Sequence, residues 1–163
     1  MKIHAILPLC IVVLFALGCV SGSSGCPQGW KQFESFCYHA SSVSRTWHEA
    51  QIHCKSMGGD LVKITNAREN EFVLALARKF APSSEQVWIG LMWTANGFYW
   101  SDYSVPVYKA WAPKEPNGNS HEPCSNMWTR QSSASLRPNG SWNDRVCAVK
   151  SHAPCGLVCK RLA

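Results

Sequence analysis

The chain has 163 residues, 16 Lys and Arg against 10 Asp and Glu, a formal charge of +6, and 46% hydrophobic residues. That length suits one domain. Its basic residues (Lys31, Arg45, Lys63, Arg78, Lys109, Arg130 and Arg145 among them) are scattered, not gathered into the stripe that nucleic-acid binding needs, so the charge reads as a solubility feature.

Lys2 precedes an apolar run over residues 5–20, and small residues follow from Ser21 to Gly25. This predicts a secretory signal peptide over 1–22, cleaved after Gly22, with Ser21 and Gly25 as other cleavage points. A signal anchor is the competing reading, since the run approaches the ~17–25 residues that span a bilayer. The polar Ser and Gly directly after it favour cleavage. No second apolar segment follows, so a secreted chain without stable membrane insertion is expected, with Lys2 lost and the charge down from +6 to +5.

Cys10 and Cys19 leave with that peptide, and of nine cysteines seven remain: Cys26, Cys37, Cys54, Cys124, Cys147, Cys155 and Cys159. In a secreted chain they read as a disulfide framework, and the odd count leaves one over. Counting alone leaves on the order of a hundred pairing schemes. Zinc competes, because Cys155 and Cys159 with His152 have ligand spacing, but no second Cys or His pair completes four ligands.

Cys26-Pro27-Gln28-Gly29-Trp30 through Cys37-Tyr38 reads as a turn and short hairpin. Thr46 and Glu49 form a capping box that opens a helix, with Trp47, Ala50, Cys54 and Met57 at helical spacing and Gly58-Gly59 ending it. Residues 61–64 make a short strand. Asn66 and Glu69 open a second helix, whose Phe72, Val73, Leu76, Ala77 and Phe80 form an apolar face before Pro82 stops it. The continuous apolar run 87–91 predicts a buried strand, and Asn96-Gly97 a hairpin turn into Phe98-Tyr99-Trp100. Residues 101–138 read as a long functional loop. The short run 146–149 and a terminal strand over 156–160 are expected to pair as a hairpin across the polar turn between them. The sum is an α+β domain.

The long loop holds the chemistry. Glu115-Pro116-Asn117, Glu122 before Cys124, and Trp142-Asn143-Asp144 before Cys147 supply three carboxylates and two amides. Hard oxygens in that number suit Ca²⁺, which takes roughly 6–8 oxygen ligands, better than zinc. A polar surface loop is the bland alternative, since these residues also form turns.

Over residues 26–160 the chain resembles the C-type lectins, in the long form with an extra N-terminal hairpin. The residues that carry this are Cys26-Pro27 with Gly29-Trp30 and Cys37-Tyr38, Trp47, Ala50 and Cys54 with Gly59-Asp60-Leu61, and Trp88-Ile89-Gly90-Leu91. Glu115-Pro116-Asn117, Trp142-Asn143-Asp144 with Cys147, and Val158-Cys159-Lys160 complete the order. The resemblance implies a disulfide-stapled C-type lectin-like fold of two helices, short antiparallel strands and a calcium-binding loop. It implies the pairings Cys26–Cys37, Cys54–Cys159 and Cys124–Cys147, with Cys155 left over. It also implies one Ca²⁺ held by Glu115, Asn117, Glu122, Asn143 and Asp144, with Pro116 after a cis peptide bond. The same five residues would hold adjacent equatorial hydroxyls of a glycan, each hydroxyl coordinating the ion, donating to a carboxylate and accepting from an amide. Glu before Asn resembles the mannose-type motif (mannose, N-acetylglucosamine, fucose), whereas galactose-type members carry Gln-Pro-Asp and often a following aromatic. Residues 118–121 are Gly, Asn, Ser and His, with no aromatic platform.

The chain departs from the family at Pro123, where Asp is common, and in lacking acidic residues between Met92 and Phe98 for a second calcium. Relatives that bind protein, mineral or ice surfaces are the alternative function, and they typically lose one of the two motifs. An enzyme is disfavoured: His48-Glu49 and His121-Glu122 each lack a second zinc-site histidine, and no nucleophile elbow is present. Defence by binding microbial glycans is the expected role by analogy. Two further expectations concern single residues. Asn139-Gly140-Ser141 is a glycosylation sequon. Cys155, expected on an exposed turn, would link two copies as a disulfide homodimer.

Overall fold

In the computed structural model, which describes residues 25–130, 138–148 and 154–163, each helix begins at its side-chain cap. The expected signal peptide lies outside the described residues. Helix α1 (Trp47–Ser56) opens with a reciprocal pair, the Glu49 N–H donating to Thr46 Oγ1 at 3.2 Å and the Thr46 N–H to Glu49 Oε2 at 2.9 Å. Helix α2 (Ala67–Phe80) opens with the Glu69 N–H donating to Asn66 Oδ1 at 2.9 Å. Phe80 is a correction: as the last residue of α2 it is exposed, with the Lys31 and Lys79 ammonium groups over its ring.

The strands are β1 (Lys31–Phe33), β2 (Phe36–Ser41), β3 (Asp60–Leu61), β4 (Gln86–Thr94), β5 (Gly97–Trp100), β6 (Cys124–Trp128), β7 (Trp142–Arg145) and β8 (Cys155–Leu162). They form one sheet in the order β1-β2-β8-β4-β6-β7, with β3 on β8 and β5 on β4. The β4–β8 pair is parallel and the other pairs are antiparallel. Side chains alternate across this sheet. Val87, Ile89 and Val158 join Val73, Leu76 and Ala77 of α2 on one face, while Trp88, Leu157 and Cys159 join Trp47, Ala50 and Cys54 of α1 on the other. A core on both faces is why β4 and β8 carry continuous apolar runs.

Three bridges, Cys26–Cys37, Cys54–Cys159 and Cys124–Cys147, have the pairing that the resemblance implies. Gly156 lets β8 pass close to its neighbours: a Cβ there would lie 2.6 Å from the Ser41 carbonyl oxygen and 2.7 Å from Ser84 Oγ.

Four further expectations are corrected. Residues 124–128, read as loop, are the fully buried strand β6. The β4–β5 turn falls on Ala95-Asn96, since Thr94 pairs with Gly97. Val146 and Ala148 are exposed and outside any strand, and β8 pairs instead with β2, β3 and β4. Cys155 is no exposed turn residue: it is the first residue of β8, wholly buried, because its register opposite Gln86 turns it into the α1-side core.

Candidate functional site

Backbone pairing brings the two motifs together. The Trp142 N–H donates to the Ala110 carbonyl at 2.7 Å, and the Ala112 N–H returns a bond to the Trp142 carbonyl at 2.8 Å. The segment before Glu115 is thereby laid along β7. The Glu115 N–H then closes a turn onto the Ala112 carbonyl at 3.0 Å, and the Glu115–Pro116 bond is cis. The loop arrives at Asp144, whose Oδ1 accepts the Asn117 N–H at 3.0 Å and whose Oδ2 accepts the Gly118 N–H at 2.8 Å.

Glu122 reaches the same place from the other side. A single 3-10 turn, Asn119–His121, folds the chain back over Gly118, and the missing Gly118 side chain makes the room. A Cβ on Gly118 would lie 2.4 Å from Glu122 Cβ and 2.7 Å from Glu122 Oε2. Sequence reasoning overlooked Gly118, which supplies both an amide donor and this cradle. Its signal was a glycine directly after Glu-Pro-Asn.

Among the five expected ligands Asp144 is buried at 1% exposure; Glu115, Glu122 and Asn143 are half-buried, and Asn117 is exposed. Asn143 Nδ2 donates to the Asp144 carbonyl. Ser125, directly opposite Asp144 in the β6–β7 register, is also buried and was missed. Arg145 is adjacent in sequence but turns to the other face of β7, where Nη1 donates to Gln86 Oε1 and the guanidinium lies 5.3 Å from the Trp88 ring centre. Strand alternation thus keeps that cation away from the Asp144 carboxylate. His121 is exposed, and Asn139 is an exposed turn residue, the placement an N-glycan needs.

Among the described residues no three His, Cys, Asp or Glu side chains converge to hold a metal. Asp144 instead directs both carboxylate oxygens at backbone amides. The donor types still suit calcium: carboxylates and amides, all hard oxygens, without a thiol or imidazole, of which the Asp144 and Glu122 carboxylates meet at Gly118.

A cleft of about 390 Å³ lies elsewhere, lined by Lys63, Asp102, Lys160 and Arg161 among others, and by none of the five. Its charges are largely neutralised, Lys63 by Asp102 at 2.8 Å and Lys160 by Glu69.

Among the described residues, two helices against opposite faces of a mixed sheet, stapled by three disulfides, with a loop folded onto β7, define a C-type lectin-like domain. The model of the lectin C-type domain matches residues 43–161, and the chain belongs to that family. It is 33% identical over 138 residues to a perlucin-like protein of Mytilus galloprovincialis, covering 83% of this chain and 84% of that one. It is 34% identical over 145 residues to human C-type mannose receptor 2, covering 84% of this chain but only 9% of the receptor. Among solved structures, the cow C-type carbohydrate-recognition domain of CD23, in the presence of a GlcNAc2Man3 oligosaccharide, has a TM-score of 0.69 at 30% identity, covering 86% of this chain and 98% of that one. A calcium-independent type II antifreeze protein has a TM-score of 0.69 at 25% identity, covering 85% and 95%.

Proposed function

We propose that this is a secreted, calcium-dependent carbohydrate-binding lectin of mannose-type specificity, a binding protein and not an enzyme. The observation that supports the reading is Asp144 accepting from the amides of Asn117 and Gly118, which brings the Trp-Asn-Asp carboxylate against the Glu-Pro-Asn segment. Glu115, Asn117, Glu122, Asn143 and Asp144 would hold one Ca²⁺, which when bound supplies open coordination positions for two neighbouring sugar hydroxyls. Around it, carboxylate oxygens accept from those hydroxyls and amide nitrogens donate to them, so the order Glu115 then Asn117 favours adjacent equatorial pairs. Secretion is supported by the apolar run at 5–20 and by three disulfides, which persist in oxidising compartments. Asn139 would carry an N-glycan on the exposed turn, and microbial or cell-surface glycans would be the targets.

One site with two hydroxyl contacts should bind a monosaccharide near the millimolar range, about 4 kcal/mol. On a mannose column the protein should be retained in calcium and released by chelator or free mannose, with galactose eluting poorly. Glu115→Gln with Asn117→Asp exchanges donors and acceptors and should lower mannose affinity relative to galactose by roughly tenfold or more. Wild-type protein eluted better by galactose would sink the mannose assignment.

A second reading, a relative that binds a protein or mineral surface without sugar, is favoured by the likeness to a calcium-independent type II antifreeze protein. Retention that ignores chelator would support it.

A further inference from the structure

Beside the motif loop opens a groove of about 420 Å³, within the ~300–1,000 Å³ typical of small-ligand sites, and Pro116 is part of its wall. Trp93, Phe98 and Trp111 line it, and behind Trp111 the ring contacts continue to Trp142. From Trp142, which immediately precedes Asn143, centroid distances run 5.9 Å to Trp111, 4.9 Å on to Phe98, and 5.2 Å on to Trp93. Trp142 is fully buried behind the groove, while Trp93, Phe98 and Trp111 are half-buried along it. The rings are tilted or edge-on to one another, so each braces the next.

The rim mixes apolar and polar groups. Val105 and Pro106 line one side. Val105 is 63% exposed there. Asn96 and Lys109 add hydrogen-bonding groups at the edge.

The geometry points to a second sugar subsite: the groove takes the next pyranose ring of an oligosaccharide whose terminal ring occupies Glu115 and Asn117. This rests on the lectin reading above. A pyranose has an apolar C–H face that suits an aromatic lining and an edge of hydroxyls that suits Asn96 and Lys109. Pro116 makes the two sites continuous. The platform that residues 118–121 lack is supplied by residues 93–111, on chain that the motif reading passed over. Such a lectin selects a linked glycan over a free monosaccharide.

Calorimetric titration in calcium with methyl α-mannoside, the methyl glycoside of an α-linked mannobiose, and octyl α-mannoside tests it. The wild type should bind the disaccharide roughly five- to tenfold more tightly than the monosaccharide, as one aromatic contact allows. Trp93→Ala should bring that ratio to about twofold, the statistical value for two similar rings, and leave monosaccharide affinity unchanged, which also reports an intact fold. If Trp93→Ala does not fold, Lys109→Met should lower the same ratio without touching the core. A wild-type ratio near two with normal monosaccharide binding would overturn the subsite and spare the lectin reading. A gain for the octyl glycoside alone would overturn it too, in favour of an alkyl chain in the groove. No binding of any mannoside in calcium would bring down both readings together.

Discussion

Asp144 ties the loop to β7 through both of its carboxylate oxygens. Its buried carboxylate satisfies the amides of Asn117 and Gly118, charge-assisted bonds each worth roughly 1.5–3 kcal/mol. Those bonds hold the loop near β7, and in the proposed calcium site a cation would compete for the same oxygens. Asp144→Asn keeps the shape, removes the charge and turns one acceptor into a donor facing an N–H. It should lower stability in chelator by about 1–3 kcal/mol and abolish any rise in melting temperature on adding calcium, which the wild type should show by mass action. A calcium shift that survives in the variant would remove Asp144 from the ligand set.

Glu69 is the other residue whose charge matters, far from the loop. Burial pushes its pKa upward, but Lys160, the Tyr38 hydroxyl and both the Thr65 amide and hydroxyl donate to it, and their sum holds it below the usual value of 4.5. Burial, with the neighbouring Glu69 charge, pushes the Tyr38 pKa upward, so the phenol stays a donor. A folded-state pKa below the unfolded one stabilises fully above 4.5 and fades as pH falls through the folded value. Glu69→Gln should therefore cost roughly 3–5 kcal/mol at neutral pH, because Lys160 keeps a buried charge without its partner. In urea titrations that gap should narrow in acid, as only the wild type loses its carboxylate. A gap independent of pH would mean packing, not charge, holds this corner.

At the scale of elements, what the sequence made legible had local physics behind it. Both helices announced themselves through caps, Thr46 with Glu49 and Asn66 with Glu69, because capping is settled within four residues. Strands β4 and β8 were readable because burial on both faces forces an apolar run. Strand β6 was not: Ser125 and Asn126 look like loop residues, and the buried Asn126 amide donates at 2.7 Å to Gln86, forty residues earlier. The β8 partners were illegible for the same reason, since pairing with β2 and β4 is decided by distant chain. The motif residues were legible as a pattern, but their junction at Asp144 and the Gly118 cradle exist only in three dimensions. Gly156 tests how tightly β8 is wedged. Its neighbours include the Ser41 carbonyl of a paired strand, which cannot swing aside like a flexible side chain. Gly156→Ala should cost about 1–3 kcal/mol, the usual penalty of overpacking, read from the denaturant midpoint. A neutral result would mean the strands slide apart easily.

For the molecule as a whole, stability rests on cross-links as well as on two cores. Cys54–Cys159 joins α1 to the last strand across 105 residues, and closing a loop of that length removes about 4.7 kcal/mol of unfolded-state entropy in the chain-entropy account. Cys155 sits inside the same α1-side core, wholly buried beside Trp88, Leu157 and Cys159. Burial pushes its thiol pKa well above the ordinary value, and the nearby Arg145 charge offsets only part of that. The thiolate is the reactive form, so this cysteine is shielded twice, by access and by protonation. A link to a second copy would require β8 to leave the sheet. The native protein should therefore run as a monomer on non-reducing electrophoresis, as far as Cys155 is concerned. It should also resist iodoacetamide and take up one label at Cys155 only when urea unfolds it, so that labelling tracks global unfolding. A dimer band in the wild type that Cys155→Ser removes, or rapid labelling of Cys155 without denaturant, would show that β8 opens in the native state.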